Sequence, residues 1–147
     1  MEIRKVTSTE LPKAMELVWQ VFLEFEAPDY SAEGVLTFRN HIDSQLATPT
    51  HDVYAGYDGD SILGVIATRN EGSHISLFFV RTENHGQGVG RKLFEYVAAL
   101  CSSDAITVNS SPYAVPIYRK LGFVDQDEEQ LSDGIRYTPM KYQRCSS

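Results

Sequence analysis

Three glycines alternate at positions 86, 88 and 90, directly after a β-branched and aromatic run, His74 to Val80, and at the start of an apolar-periodic run, Val89 to Leu100. This junction constrains the chain more than any other segment. Glycine accepts left-handed backbone and lets a ligand approach the main chain closely. A strand before the turn and a helix after it leave the first helical amides unpaired, with the positive end of the helix dipole behind them. Such a turn suits an anion, phosphate above all. Spacing excludes two familiar phosphate loops. Walker A requires GxxxxGK[ST], and the dinucleotide fingerprint GxGxxG needs a third glycine where Arg91 stands.

The 147 residues fit one domain of the usual ~100–200, spanning 1–147, with no repeat, low-complexity tract or linker to divide it. Ile3 to Val6 predicts a first strand. Thr7-Ser8-Thr9-Glu10 fits a capping box; Thr9 is the alternative cap, because it places Pro12 among first-turn amides that lack a partner. Leu11, Ala14, Met15, Val18 and Phe22 make one apolar stripe of a helix ending near Phe25. Ala27-Pro28-Asp29 breaks it. Ser31 caps a second helix running to about Gln45, with Val35, Phe38 and His41 or Ile42 inward. Asp52 to Tyr57 and Ser61 to Ala67 pair across an Asp58-Gly59-Asp60 hairpin turn. Strands His74 to Val80 and Ala105 to Val108 enclose the helix Val89 to Leu100 in sequence. Ser111-Pro112 predicts the cap and first residue of a last helix that ends at Gly122 and is kinked or shortened at Pro116. Phe123 onward and Arg136 to Tyr142 read as closing strands around the acidic turn Asp125 to Glu129. The order is mixed α/β, with an antiparallel start.

Thirteen Lys plus Arg against twenty Asp plus Glu give a net charge of −7, so the summed field repels phosphate backbones and anionic lipid. Neither a nucleic-acid nor a membrane partner is expected. The longest apolar run, Tyr96 to Cys101, is far short of the ~20 residues of a membrane span, and the N-terminus lacks a signal peptide's apolar segment. The cytosol is the expected location. Cys101 and Cys145 have no CxxC spacing, which predicts reduced thiols, no disulfide and no metal centre. Asn109-Ser110-Ser111 matches a glycosylation sequon, but nothing else points to secretion.

The glycine junction resembles the acetyl-CoA signature of the GNAT superfamily of N-acetyltransferases, in which Gln or Arg, two residues, Gly, one residue, and Gly or Ala follow a strand. Gly88 and Gly90 stand in register, and Tyr118-Arg119-Lys120-Leu121-Gly122-Phe123 is similar to the family's later Tyr-x-x-x-Gly-Phe segment. The order of elements agrees from Ile3 to about Tyr142. His85 departs from the pattern where the family has Gln or Arg, and Ser111 where many members have Asn. The resemblance implies a mostly antiparallel central sheet flanked by helices, the GNAT-like acyl-CoA N-acyltransferase fold. It also implies acetyl-CoA as cosubstrate. The pyrophosphate would lie on the backbone of Gly86, Gln87, Gly88, Val89, Gly90 and Arg91, and the pantetheine arm beside Phe78, Phe79 and Val80. An amide near Phe79 or Val80 would polarise the thioester carbonyl. Leu77 and Phe79, opposite Phe78 on the strand, are expected in the core.

A primary amine attacking a thioester loses a proton, and the departing thiolate gains one. Tyr118 matches the family's general acid, with a reference pKa of ~10 against ~8.5 for a thiol; Tyr113 is the alternative. The residues do not identify the base. His74 stands six residues before Val80, about 20 Å along a strand at ~3.3 Å per residue. Ser76 is nearer and could only orient water. Glu24, Glu26, Asp29 and Glu33 surround the break between the first two helices, where the family builds its acceptor pocket. No cysteine or serine has an evident base partner, which favours direct transfer to an amine of a small molecule or peptide over a covalent acetyl-enzyme. A non-catalytic acyl-CoA-binding module of the same fold stays open, as does nucleotide binding at the glycine turn. Exposed terminal strands make a homodimer the expected assembly, if one forms.

Overall fold

The computed structural model describes residues 1–144; Cys145 lies outside them. In chain order the elements are β1 (Glu2–Lys5), α1 (Leu11–Phe25), α2 (Ala32–Ala47), β2 (Asp52–Asp58), β3 (Ser61–Arg69), β4 (His74–Val80), α3 (Val89–Leu100), β5 (Ala105–Ser110), α4 (Val115–Leu121), β6 (Val124–Asp125), β7 (Gln130–Ser132) and β8 (Ile135–Gln143). The sheet runs β1-β2-β3-β4-β5-β8-β6, with β7 paired to β8. Every neighbouring pair is antiparallel except β4 and β5. Helices cover both faces, as the mixed α/β order requires.

Thr7 and Glu10 form the reciprocal capping box: the Thr7 amide donates to the Glu10 carboxylate at 3.1 Å, and the Glu10 amide to Thr7 Oγ1 at 3.3 Å. Regular α1 begins one residue later, with Pro12 in its first turn. Ser31 caps α2 by accepting from the Gly34 amide at 3.3 Å. Phe22 of α1 stacks on Phe38 of α2 with ring centroids 3.9 Å apart, and Phe38 meets Phe79 of β4 in a T-shape at 5.9 Å. Leu93, Phe94 and Val97 of α3 fill the other face with Ile66, Ile106 and Val108.

One extra residue changes the faces of β4. Ala67 pairs with Leu77 and Thr68 with Ile75, leaving Ser76 as a bulge without a partner across β3. Leu77 and Phe79 therefore pack with α1, whereas Ile75 joins Phe78 and Val80 on the α3 side. A bulge bends its strand and re-aims a side chain, here Ser76.

The last helix starts later than the sequence implies. Ser111 Oγ accepts from the Ala114 amide at 3.2 Å, but that bond closes a turn, and α4 begins at Val115. Pro116 thus falls in the first turn, where no interior bond is lost, and of the two expectations for it the shortened helix is the one observed. The helix ends at Gly122, whose φ of +108° is left-handed. β7 is an additional strand inside the expected closing region. The β7–β8 turn lies on the N-terminus of α2 backbone to backbone: a Cβ on Gly34 would run into the Gly134 carbonyl. Thr37 Oγ1 donates to the Asp133 carbonyl at 2.8 Å, and Arg136 to the Asp29 carbonyl at 3.2 Å.

Candidate active site

β4 and β5 pair only at His74↔Thr107 and Ile75↔Val108. Beyond Ile75 the strands separate, and a cleft opens through the sheet. It holds two cavities, of about 300 Å³ and about 340 Å³, whose walls share Glu26, Phe78, Phe79, Ala114 and Tyr118. The first reaches the glycine turn. The second runs back along β4 beneath α2 and the β7–β8 turn.

Phe78, Phe79, Val80, Gly86, Gly88, Val89 and Gly90 all line the first cavity. Gly86 and Gly88 hold φ of +79° and +80°, with open space where a Cβ would stand, so backbone conformation alone demands glycine there. Gly90 differs: its φ is not left-handed, and a Cβ would meet Phe78 and Val80 at ordinary contact distances of 3.5 and 3.6 Å. α3 has no side-chain cap, so the turn at Gly88 leaves its first amides to a ligand or solvent. Gln87 and Arg91 lie outside the wall. Gln87 braces the turn by donating to the Glu83 carbonyl at 3.2 Å, and Arg91 donates to the Lys120 carbonyl at 3.1 Å.

Strand geometry selects between the two amides considered for the thioester carbonyl. The Arg81 amide donates to the Leu63 carbonyl at 2.8 Å, so alternation turns the backbone of Phe79 toward β3 and that of Phe78 and Val80 toward the cleft. The Val80 carbonyl already accepts from His85 Nε2 at 2.7 Å, which fixes the ring hydrogen on Nε2. His85 also lies against Phe25 at 5.1 Å, and Phe25 against Tyr113 at 5.0 Å, forming an aromatic wall over the first cavity.

Of the four acidic residues around the helix break, only Glu26 enters the cleft; Glu24 accepts from Thr82 Oγ1 at 2.8 Å outside it. Among the described residues Glu26 is the one carboxylate in the wall of either cavity. Burial pushes its pKa up to about 7, with a smaller opposing pull from the Ser111 hydroxyl and a push from Asp29. Tyr118 is buried and reaches both cavities. Burial, and then the charge of Glu26, raise its pKa well above the usual tyrosine range. Tyr113 is raised for the same two reasons and lines only the first cavity.

The second cavity collects residues no local pattern joins: His41 from α2, His51 before β2, Arg69 at the end of β3, and His74 and Ser76 from β4. Ser76 Oγ lies 2.8 Å from His51 Nδ1 and donates to the Ala67 carbonyl at 3.3 Å. A serine and an imidazole thus stand within hydrogen-bond distance. That contact spans 25 residues and depends on the bulge, so sequence spacing does not show it. Ser76 is absent from the first cavity's wall. Burial first, then Arg69, lowers the pKa of His41 and His74, the latter to about 4.

Residues 26–144 match the family model of an acetyltransferase (GNAT) domain. The chain belongs to the GNAT acetyltransferase family. As a GNAT protein it shares its fold with solved structures of low sequence identity. One is a GCN5-related N-acetyltransferase from Rhodopseudomonas palustris, with a TM-score of 0.77 at 15% identity, covering 97% of this chain and 94% of that one. Another is apo YjaB from Escherichia coli, at 0.76 and 21%, covering 99% and 98%. A third is the PaiA N-acetyltransferase from Thermoplasma acidophilum in complex with coenzyme A, at 0.71 and 16%, covering 97% and 98%. No curated protein matches the chain. Among the described residues of this GNAT chain, no helix is long and apolar enough to cross a membrane.

Proposed function

We propose that this protein is an acetyl-CoA-dependent N-acetyltransferase that moves the acetyl group directly to a primary amine of a small molecule or peptide. The carrying observation is the junction of the two cavities, where Glu26 and Tyr118 meet. The glycine turn and the first turn of α3 take the pyrophosphate, and the wall formed by Phe78 and Val80 takes the pantetheine arm. The Val80 amide, turned to the cleft, donates to the thioester oxygen as negative charge develops there.

Glu26, with its pKa near 7, accepts the proton of the attacking ammonium at neutral pH. The amine nitrogen then bonds to the acetyl carbon, the carbon–sulfur bond breaks, and the thiolate leaves with the electron pair. Tyr118, protonated at the outset, gives its proton to that sulfur as the thiolate leaves. Because the charge of Glu26 helps hold the Tyr118 proton, neutralising Glu26 in the first step makes Tyr118 a stronger acid for the second. The surplus amine proton returns to Tyr118 or to solvent.

The test is a pair of measurements on the purified protein. A ligand that binds only the folded state stabilises it by ~2.7 kcal/mol at about 100 times its dissociation constant. Acetyl-CoA should therefore raise the thermal midpoint, while ATP and NAD should not. Thiol release across an amine panel should then be lost in Tyr118→Phe with the acetyl-CoA shift retained. A shift without turnover on any amine would instead favour the non-catalytic module.

A further inference from the structure

Building on the acetyl-transfer reading, we propose that the acceptor is a small primary amine bearing an anionic group at the end of a spacer, held at the far end of the second cavity by Arg69 with His41, His51 and His74.

Arg69 is the singular arginine. Of the eight in the chain, Arg4, Arg39, Arg81, Arg119 and Arg136 form ion pairs, and Arg91 and Arg144 donate to backbone carbonyls. Among the described residues, Arg69 alone does neither. It lies instead in the cavity wall, opposite His74 in the β3–β4 register. The planar guanidinium, always charged, matches a carboxylate or a phosphate in two-point contact.

The imidazoles around it are held by hydroxyls rather than carboxylates. His51 Nδ1 meets Ser76 Oγ at 2.8 Å, and His74 Nδ1 meets Thr107 Oγ1 at 2.8 Å. His41 lies against His51 with ring centroids 5.3 Å apart. The nearby Asp52 is engaged by Lys5 at 3.1 Å, outside the cavity wall. An anion would select the arrangement in which Ser76 turns its hydrogen from the Ala67 carbonyl to His51, placing the imidazole hydrogen on Nε2. The cluster does not suit a metal: among the described residues, no three His, Cys, Asp or Glu side chains could hold one ion.

Charge is thus arranged end to end. Glu26, the cavity's one carboxylate, acts on Tyr118, whose ring lies 5.8 Å from that of Phe78, and Arg69, its one fixed cation, pairs with His74 in the strand register. Four residues of β4 separate those ends, roughly 13 Å at ~3.3 Å per residue, less the reach of the arginine side chain. An amine at Glu26 with an anion several bonds away satisfies both. A diamine would put its second cation against Arg69, and a neutral tail would leave the exposed guanidinium to solvent and gain nothing from it.

The experiment compares ε-aminohexanoate, aminohexyl phosphate, the carboxamide of aminohexanoate and hexane diamine as acceptors, by thiol release from acetyl-CoA. In the parent protein the better anionic amine should exceed the carboxamide in kcat/KM by about tenfold or more, the scale of a charge-assisted hydrogen bond. The carboxylate and phosphate arms identify which anion the site prefers. Arg69→Gln should reduce that ratio to within about threefold, chiefly by lowering kcat/KM for the anionic amine, and Arg69→Lys should restore part of it. Equal or better turnover of the carboxamide or diamine in the parent, or an unchanged ratio in Arg69→Gln, overturns the inference and leaves acetyl transfer standing. Absence of turnover with every amine, despite bound acetyl-CoA, overturns acetyl transfer and this inference with it.

Discussion

The two cavities that meet at Glu26 and Tyr118 are built in opposite ways. The cavity proposed for the cofactor is mainly local: β4, the glycine turn and the start of α3 are continuous in sequence, and backbone geometry does most of the work. The cavity proposed for the acceptor draws side chains from α2, β3, β4, β5, α4 and β8 and from the segments before α2 and β2. A site made from contiguous backbone admits little change, whereas one assembled from dispersed side chains can be altered position by position. On the proposed reading the first cavity takes the cofactor and the acceptor is decided in the second, since a shared fold does not fix the acceptor.

Substitutions at the junction should have the largest effect. Glu26→Gln should lower kcat by about 10²–10⁴, the usual contribution of general base catalysis, without weakening acetyl-CoA binding. In the parent, kcat/KM should rise with pH to a plateau above about 7, and that limb should vanish in the variant. Stability should move the other way. The folded-state pKa is raised from 4.5 to about 7, so the folded protein binds more protons than the unfolded chain in that window and loses stability as pH rises through it. Urea titrations should find Glu26→Gln more stable than the parent by about 2–3 kcal/mol at pH 8 and nearly equal at pH 4.

Gly88→Ala separates the two sides next. A side chain at φ +80° is strained, and the expected cost is about 1–2 kcal/mol in stability, with roughly tenfold weaker acetyl-CoA binding by calorimetry. Gly34→Ala is the converse test. Its methyl would displace the β7–β8 turn, so KM for the amine should rise several-fold while acetyl-CoA affinity holds. If cofactor affinity falls equally, the two cavities are not separable. The smallest effect belongs to Gly90→Ala, where the contacts are ordinary and acetyl-CoA binding should change by less than about threefold.

The same contrast explains what the sequence discloses. Periodicity places β4 and α3 at their observed ends, and Gly86 and Gly88 mark the turn between them because the requirement for positive φ is local. Glu26 is visible only as one of four acidic residues; its selection depends on which side chain the end of α1 carries into the cleft. His41, His51 and Arg69 carry no shared pattern, since their proximity is created by strand pairing and by α2 packing above β4. The bulge at Ser76 is equally silent, because the run His74 to Val80 is apolar or polar at each position without regard to one inserted residue. The start of α4 was set by competition between two prolines that both suit a first turn, and Pro116 rather than Pro112 occupies it.

The separation of β4 from β5 has a further consequence for how this sheet meets other molecules. Past Ile75, the backbone of Phe78 and Val80 faces a gap where a neighbouring strand would otherwise lie. The protein therefore carries an edge strand in its interior, roofed by α1 on one side and α4 on the other. Open edges on a surface invite other chains to add themselves and aggregate. Placed inside a narrow cleft, the same unpaired groups are within reach of a slender, amide-containing ligand and out of reach of a second protein.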